Sequence, residues 1–392
     1  MKYIFIVLPL AFLITTMNSP AQAEIGITDT EVIIGAHTNE SGPIASAGAP
    51  APLAGAAYYD MVNKNGGIFG RKIKWIRKDS QSLAPKTVDG VRQLVEQDKV
   101  FAIVGSNGPS HVAVVKYLNE KKIPDLFFSD GAKIYDNPAF KMSFPYYYSW
   151  ESEGRTEANY VVNSKMGKKV CFLLTKDSLG DEYEKGAVTA FEASNSKAKE
   201  GDKIKLGLRL RVDRAGNQAD SEILNFKQEK CDIIMTSVYG PMCPSAINYG
   251  LMQGYKPTWI ISSYNVSNKF ISLLNEGAAN GVISVANLAR EKSLAVNKKG
   301  WSDFENLMKK NNIALSGTAA VGFTLAEVFV ETLKRAGKNL TREGIVKAAE
   351  GFDGGWACSL CISSLRSSST NHRAFGPPRL IRIKDKEWQF LD

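Results

Sequence analysis

Three histidines and five cysteines are the first side chains to test for chemistry in this chain of 392 residues. His37, His111 and His372 lie far apart. They lack the H-x-x-x-H and H-E-x-x-H spacings that bring two imidazoles onto one helical face for a metal. No G-x-S-x-G elbow is present to strain a nucleophilic serine. Neither G-x-G-x-x-G nor G-x-x-x-x-G-K-[ST] occurs, so the usual backbone cradles for nucleotide phosphates are missing. These absences argue against an enzyme and against a bound metal or cofactor. Cys358 and Cys361 form a C-x-x-C within Trp-Ala-Cys-Ser-Leu-Cys. Such a pair could be redox-active, zinc-binding or a local bridge. A redox pair opens a helix after a strand, whereas this one lies in a Gly/Ser-rich stretch. Zinc would need a second pair of ligands, and only His372 is near in sequence. The favoured reading is a structural disulfide. Cys171 and Cys231 sit at expected strand starts and read as core residues, which leaves Cys243 as the odd one.

More informative chemistry lies in four polar segments that follow apolar runs. Val104 is followed by Gly105-Ser106-Asn107-Gly108-Pro109-Ser110-His111. Phe128 is followed by Ser129-Asp130-Gly131-Ala132. The run at 232–238 ends in Tyr239-Gly240-Pro241, and the run at 259–262 ends in Ser263-Tyr264-Asn265. Together they offer hydroxyls, backbone N–H groups and aromatic faces, a recognition set for a small organic molecule. The small-residue loop Ser41-Gly42-Pro43-Ile44-Ala45-Ser46-Ala47-Gly48 allows close backbone approach and suits an anion before a helix. The bland alternative is that βα turns are ordinarily polar.

The elements that must position these loops alternate. Short continuous apolar runs recur at Val32–Ala36, Ile73–Ile76, Phe101–Gly105, Leu126–Phe128, Val170–Leu174, Asp232–Thr236, Trp259–Ser262 and Gly281–Val285. Runs of this kind are what strands buried on both faces require. Amphipathic stretches lie between them, at Leu53–Val62, Thr87–Gln97, Ser110–Glu120, Gly180–Phe191, Ala219–Glu229 and Ala319–Ala336. Ser110 is a candidate cap for the third. Strand–helix alternation of this length predicts an α/β fold with parallel sheets and right-handed crossovers. In such sheets ligands bind beyond the carboxyl ends of the strands, where all four polar segments fall. Eight or nine strands could form one wide sheet or two smaller ones; the rhythm pauses at Phe144-Pro145-Tyr146-Tyr147-Tyr148-Ser149-Trp150, the best candidate for a first crossing between two lobes, with a second near Val285–Leu288.

Composition sets the outer limits. Hydrophobic residues make up 44% and charged residues 23%, which excludes wholesale disorder. A formal charge of +9 is mild for this length and nucleic acid would need a clustered basic face, so nucleic acid is not an expected partner. Lys2, the 12-residue apolar run from Tyr3 to Ile14 and Ala21-Gln22-Ala23 make residues 1–23 an expected export signal. That run is too short for a membrane span, which needs about 20 apolar residues.

Several segments, in order, carry a resemblance. They begin with Ser41-Gly42-Pro43, then Gly55-Ala56-Ala57-Tyr58-Tyr59-Asp60-Met61-Val62-Asn63 and Gly66-Gly67-Ile68-Phe69-Gly70-Arg71-Lys72-Ile73. They continue through Ala102–Gly105, Ile123-Pro124, Gly180-Asp181-Glu182-Tyr183, Asp232-Ile233-Ile234, Gly254-Tyr255-Lys256-Pro257 and Glu387-Trp388. The chain resembles the periplasmic branched-chain amino-acid-binding proteins, type I substrate-binding proteins of ABC importers, over essentially all of its length after residue 23. The resemblance implies two Rossmann-like lobes joined by three hinge crossings, with residues 24–145 plus 286–376 in one and 146–285 plus 377–392 in the other. It implies a small-molecule ligand clamped between the lobes, an ABC permease in the inner membrane as partner, a periplasmic location and a monomer. A ligand sensor for a signalling partner is the alternative outside transport. Carried over by position, Ser110, His111, Ser129 and Gly131 would hold a ligand carboxylate from one lobe, and Tyr239 would line the other. Ala47 and Leu179 replace aromatics, and Ser263, beside Tyr264, replaces the acid that pairs with a ligand ammonium. A buried ammonium without a counter-charge costs several kcal/mol, so Asp130 or Asp177 would have to substitute for it. Trp150 at the cleft wall suits a flat or apolar body. The expected ligand is therefore a small carboxylate with an apolar or aromatic body, with branched-chain amino acids as the alternative.

Overall fold

The computed structural model describes residues 24–42, 45–213 and 216–391. The expected export signal, Pro43 and the Ala47 side chain lie outside the described residues. The first lobe is built from β1 (Glu31–Thr38), α1 (Ala45–Gly48), α2 (Pro50–Lys64), β2 (Lys72–Asp79), α3 (Ala84–Glu96), β3 (Ala102–Val104), α4 (Val115–Glu120), β4 (Asp125–Phe128) and β5 (Ser143–Pro145). Its sheet is parallel throughout, in the order β2-β1-β3-β4-β5. After a first crossing the second lobe runs through α5 (Trp150–Ser164), β6 (Lys169–Thr175), α6 (Ser178–Asn195), β7 (Lys205–Val212) and α7 (Asp220–Glu229). It continues with β8 (Ile233–Thr236), α8 (Met242–Met252), β9 (Thr258–Ile261), α9 (Asn268–Ser272) and β10 (Ile283–Ala286). The chain then returns to cover the first lobe with α10 (Lys298–Lys310), α11 (Gly317–Ala336) and α12 (Arg342–Glu350), α11 packing on α2 and β4. A last crossing adds β11 (Arg379–Lys384) and β12 (Glu387–Phe390) to the second sheet, ordered β12-β11-β10-β9-β8-β6-β7. Those two strands pair antiparallel, and the rest of that sheet is parallel.

The eight expected strands are all present, but four others were missed: β5, β7, β11 and β12. The second of these, Lys-Leu-Gly-Leu-Arg-Leu-Arg-Val, alternates because it is an edge with one wet side, and Lys205 and Arg209 are exposed. Charges on a wet side break up the apolar run and hide such a strand from a search for continuous runs. The stretch expected as one helix from Ser110 is split. A 3-10 turn at Pro109–Ala113 precedes α4, and Gly108, not Ser110, sits at its cap. The Cys358 and Cys361 sulfurs are bonded to each other, and Cys171 is bonded to Cys231. The second bridge corrects the reading of those two as core thiols. β6 pairs directly with β8, with β7 outside it, and this brings residues 60 apart in sequence to adjacent strands. Cys243 is free and buried.

Helices α5 and α6 meet almost backbone to backbone. A methyl at Gly154 would lie 2.1 Å from the Tyr183 carbonyl oxygen, and one at Gly186 would lie 1.9 Å from that of Glu151. This contact, with the Ser149 hydroxyl accepting from the Ser152 amide at 3.2 Å, fixes the start of α5 beside the first crossing.

Candidate functional site

The carboxyl end of β4 in the first lobe meets the segments that follow β8 and β9 in the second, with Trp150 at the first crossing between them. Aromatic and apolar side chains from both lobes meet there. Val115, Phe128, Ala132 and Tyr135 of the first lobe pack with Trp150 and Leu179, and Tyr239 and Tyr264 border them. The Tyr264 ring lies 5.4 Å from that of Tyr239 and 5.2 Å from that of Tyr147. The indole N–H of Trp150 donates to the Tyr264 hydroxyl at 3.3 Å. Its backbone N–H donates to the Gly131 carbonyl at 3.1 Å. Trp150, Gly131, Tyr239, Ser263 and Tyr264 are thus brought together. Ser129 is half-buried beside them, its amide bonded to the Ser106 carbonyl at 2.8 Å.

His111 is not at this surface. Its ring is enclosed in the first lobe, with Nδ1 2.8 Å from His37 Nε2 and Nε2 2.8 Å from Asp125 Oδ2. It stacks on Phe128 at 4.1 Å. The expectation that it holds the ligand carboxylate is corrected, because both nitrogens are engaged and the 3-10 turn aims the ring inward. Ser110 is also buried, its hydroxyl accepting from Thr87 Oγ1 at 2.7 Å.

The two acids considered as substitutes at position 263 have different lots. Asp177 caps α6, accepting from the Gly180 amide at 3.2 Å and the Thr175 hydroxyl at 2.8 Å. Asp130 is buried, with Oδ1 on the Ala132 amide at 2.9 Å. Burial pushes its carboxyl up to about 6, against the Ala132 bond and the nearby His111, Tyr135 and Arg373 that pull it down.

Two side chains that sequence reasoning missed hold the Ser263 peptide. Glu153 accepts its N–H at 2.7 Å, and Arg290 donates to its carbonyl at 3.0 Å. Arg290 also donates to the Tyr147 hydroxyl and lies 5.4 Å from that ring's centre. The Tyr run before Trp150 was one visible signal for this cluster. Nothing marked Arg290. A third missed residue, Glu182 of α6, reaches across to the first lobe, where the Lys133 amide donates to its two carboxylate oxygens at 2.9 and 3.1 Å. Lys133 Nζ also pairs with Glu151 of α5. Among the described residues no cluster of three His, Cys, Asp or Glu is arranged to hold a metal. No described helix is long and apolar enough to cross a membrane.

Comparisons with known proteins agree with this architecture. A family profile described as periplasmic binding protein matches residues 31–387. No curated protein sequence matches the chain. Among solved structures, a branched-chain amino acid ABC transporter protein from Thermus thermophilus with bound valine is 17% identical with a TM-score of 0.81, covering 93% of this chain and 96% of its own. A fatty acid ABC transporter substrate-binding protein from Thermomonospora curvata is 19% identical with a TM-score of 0.78, covering 95% of this chain and 94% of its own. A possible leucine/isoleucine/valine-binding protein from Rhodopirellula baltica is 18% identical with a TM-score of 0.77, covering 93% and 96%. At these identities the likeness is one of fold. The family match spans nearly the whole chain and the two-lobed α/β architecture agrees with it, so the chain belongs to the periplasmic binding protein family, with the type I fold.

Proposed function

We propose that this chain is the substrate-binding component of an ABC importer and captures a small carboxylate with an apolar or aromatic body by closing its two lobes. The observation that carries the reading is the aromatic surface of Tyr239 and Tyr264, backed by the buried Trp150, next to a serine, not an acid, at position 263. Aromatic faces reward a flat or greasy body. The Ser129 hydroxyl and the Gly131 backbone N–H are the polar partners for the carboxylate, now without His111, because the Ser129, Ala132 and Lys133 amides are bonded within the protein. A ligand touching both lobes binds the closed form better and shifts the population towards it. The same reading makes residues 1–23 an export signal, the periplasm the location, an ABC permease the partner and the protein a monomer.

A branched-chain amino acid is the second reading. The Thermus relative with bound valine favours it, as does Asp130, a buried acid beside the expected site. Thermal-shift screening of the chain from residue 24 against aromatic acids, short fatty acids, amides and amino acids separates the two. A ligand at 100 times its Kd adds about 2.7 kcal/mol. Stabilisation by benzoate-like acids is the expected result. A response to leucine or valine alone makes the second reading correct. Tyr239→Ala should weaken binding of the active compound at least tenfold while the melting of the free protein changes little. Unchanged affinity would remove Tyr239 from the site.

A further inference from the structure

We propose that Trp150 is an internal occupant of the cleft, a specificity-determining residue that fills the innermost space between the lobes and so limits how deep a ligand can enter. The inference rests on the solute-binding reading and names the residue that sets the size of its site.

Three observations meet at this side chain. First, Gly131 leaves the room that the indole takes. A methyl on Gly131 would lie 2.4 Å from Trp150 Nε1, 2.6 Å from Cδ1 and 3.0 Å from Cε2. Gly131 is not among the glycines with a positive φ. Its backbone therefore does not demand glycine, and what the missing side chain provides is space. Second, the indole touches both lobes. Phe128, Ala132 and Tyr135 flank it on the first-lobe side and Leu179 on the second, and its N–H is aimed at Tyr264 of the second lobe. Third, it is anchored. Trp150 is the first residue of α5, just after the Ser149 cap, its own amide is held by Gly131, and it is 3% exposed.

A side chain that bridges both lobes at the carboxyl ends of their strands stands where these sheets receive a ligand. It acts as a resident aromatic group. A diffusing ligand then meets the outer face of this cluster, at Ser129, Tyr239 and Tyr264, all of which remain partly exposed. Removing the indole leaves an apolar space of its own shape, and such spaces take up a matching small aromatic.

Indole itself is the probe, so the test needs no knowledge of the natural ligand. If the screen above is silent, this experiment still stands. The expected result is that Trp150→Ala melts several degrees below wild type and that millimolar indole raises its melting temperature while leaving wild type unmoved. Folded Trp150→Ala that ignores indole, or an equal response in both proteins, overturns the proposal. If Trp150→Ala does not fold, Gly131→Ala decides. The added methyl must displace the indole, so the variant should melt lower and its tryptophan emission should shift to the red. A Gly131→Ala protein with unchanged melting and emission overturns the proposal equally.

Discussion

Glu157, one turn beyond Glu153 on α5, is wholly buried and accepts a hydrogen bond from the Tyr183 hydroxyl. Burial, and next the charge of Glu153, push its carboxyl well above the ordinary value. The neutral form therefore fits the fold. A carboxyl with a raised folded pKa binds more protons folded than unfolded, so its contribution is full below about pH 4.5 and is lost as pH rises through the folded value. Glu157→Gln keeps an acceptor for Tyr183 and removes the titration. Its melting temperature should fall less between pH 5 and pH 8 than that of wild type, and parallel curves would refute the assignment. None of this was legible in the sequence, where Trp-Glu-Ser-Glu-Gly-Arg-Thr-Glu carries no sign of which acids are buried. What buries those acids is α6 closing over them.

That closure belongs to the element scale. Gly154 and Gly186 let α5 and α6 touch along their backbones, and α5 carries Trp150, Glu151 and Glu153 into the cleft region. Gly186→Leu must push the helices apart. Overpacking of this kind typically costs about 1–3 kcal/mol, and denaturant unfolding should show a loss of that order or more. Gly201→Ala, at a position with no atom within 4 Å of the added methyl, is the control and should be near neutral. Helices with strong apolar spacing, such as α2, α3 and α11, were readable to within a few residues. The edge strand β7 and the final hairpin were not, because their alternation is diluted by charges that face water.

For the whole molecule, one contact between the lobes is that of Glu182 with the Lys133 amide. Burial pushes the Glu182 carboxyl up to about 7, with Asp130 and Glu151 adding to the rise while the Lys133 bond and Arg373 oppose it. When the lobes part, Glu182 meets water and returns towards an ordinary carboxylate. On the proposed closing motion, closure would therefore take up a proton between about pH 4.5 and pH 7, and acid would favour the closed form. Small-angle scattering of the ligand-free chain should give a smaller radius of gyration at pH 5 than at pH 8.5. Glu182→Gln should flatten that dependence, and a wild-type radius that ignores pH would sink the idea.

The sequence by itself determined the α/β alternation and the break in it at the Tyr run. Those are local signals, written at the spacing of two residues for a strand and three to four for a helix. The tertiary structure alone decided what each loop residue does. It enclosed His111 with His37 and Asp125, joined Cys171 to Cys231, and seated Trp150 on Gly131 and against Tyr264. Glu153 reaches the Ser263 amide across 110 residues of chain, and Arg290 reaches Tyr147 across 143. No local periodicity encodes such pairs, because they form only when strand order and lobe packing bring distant segments together.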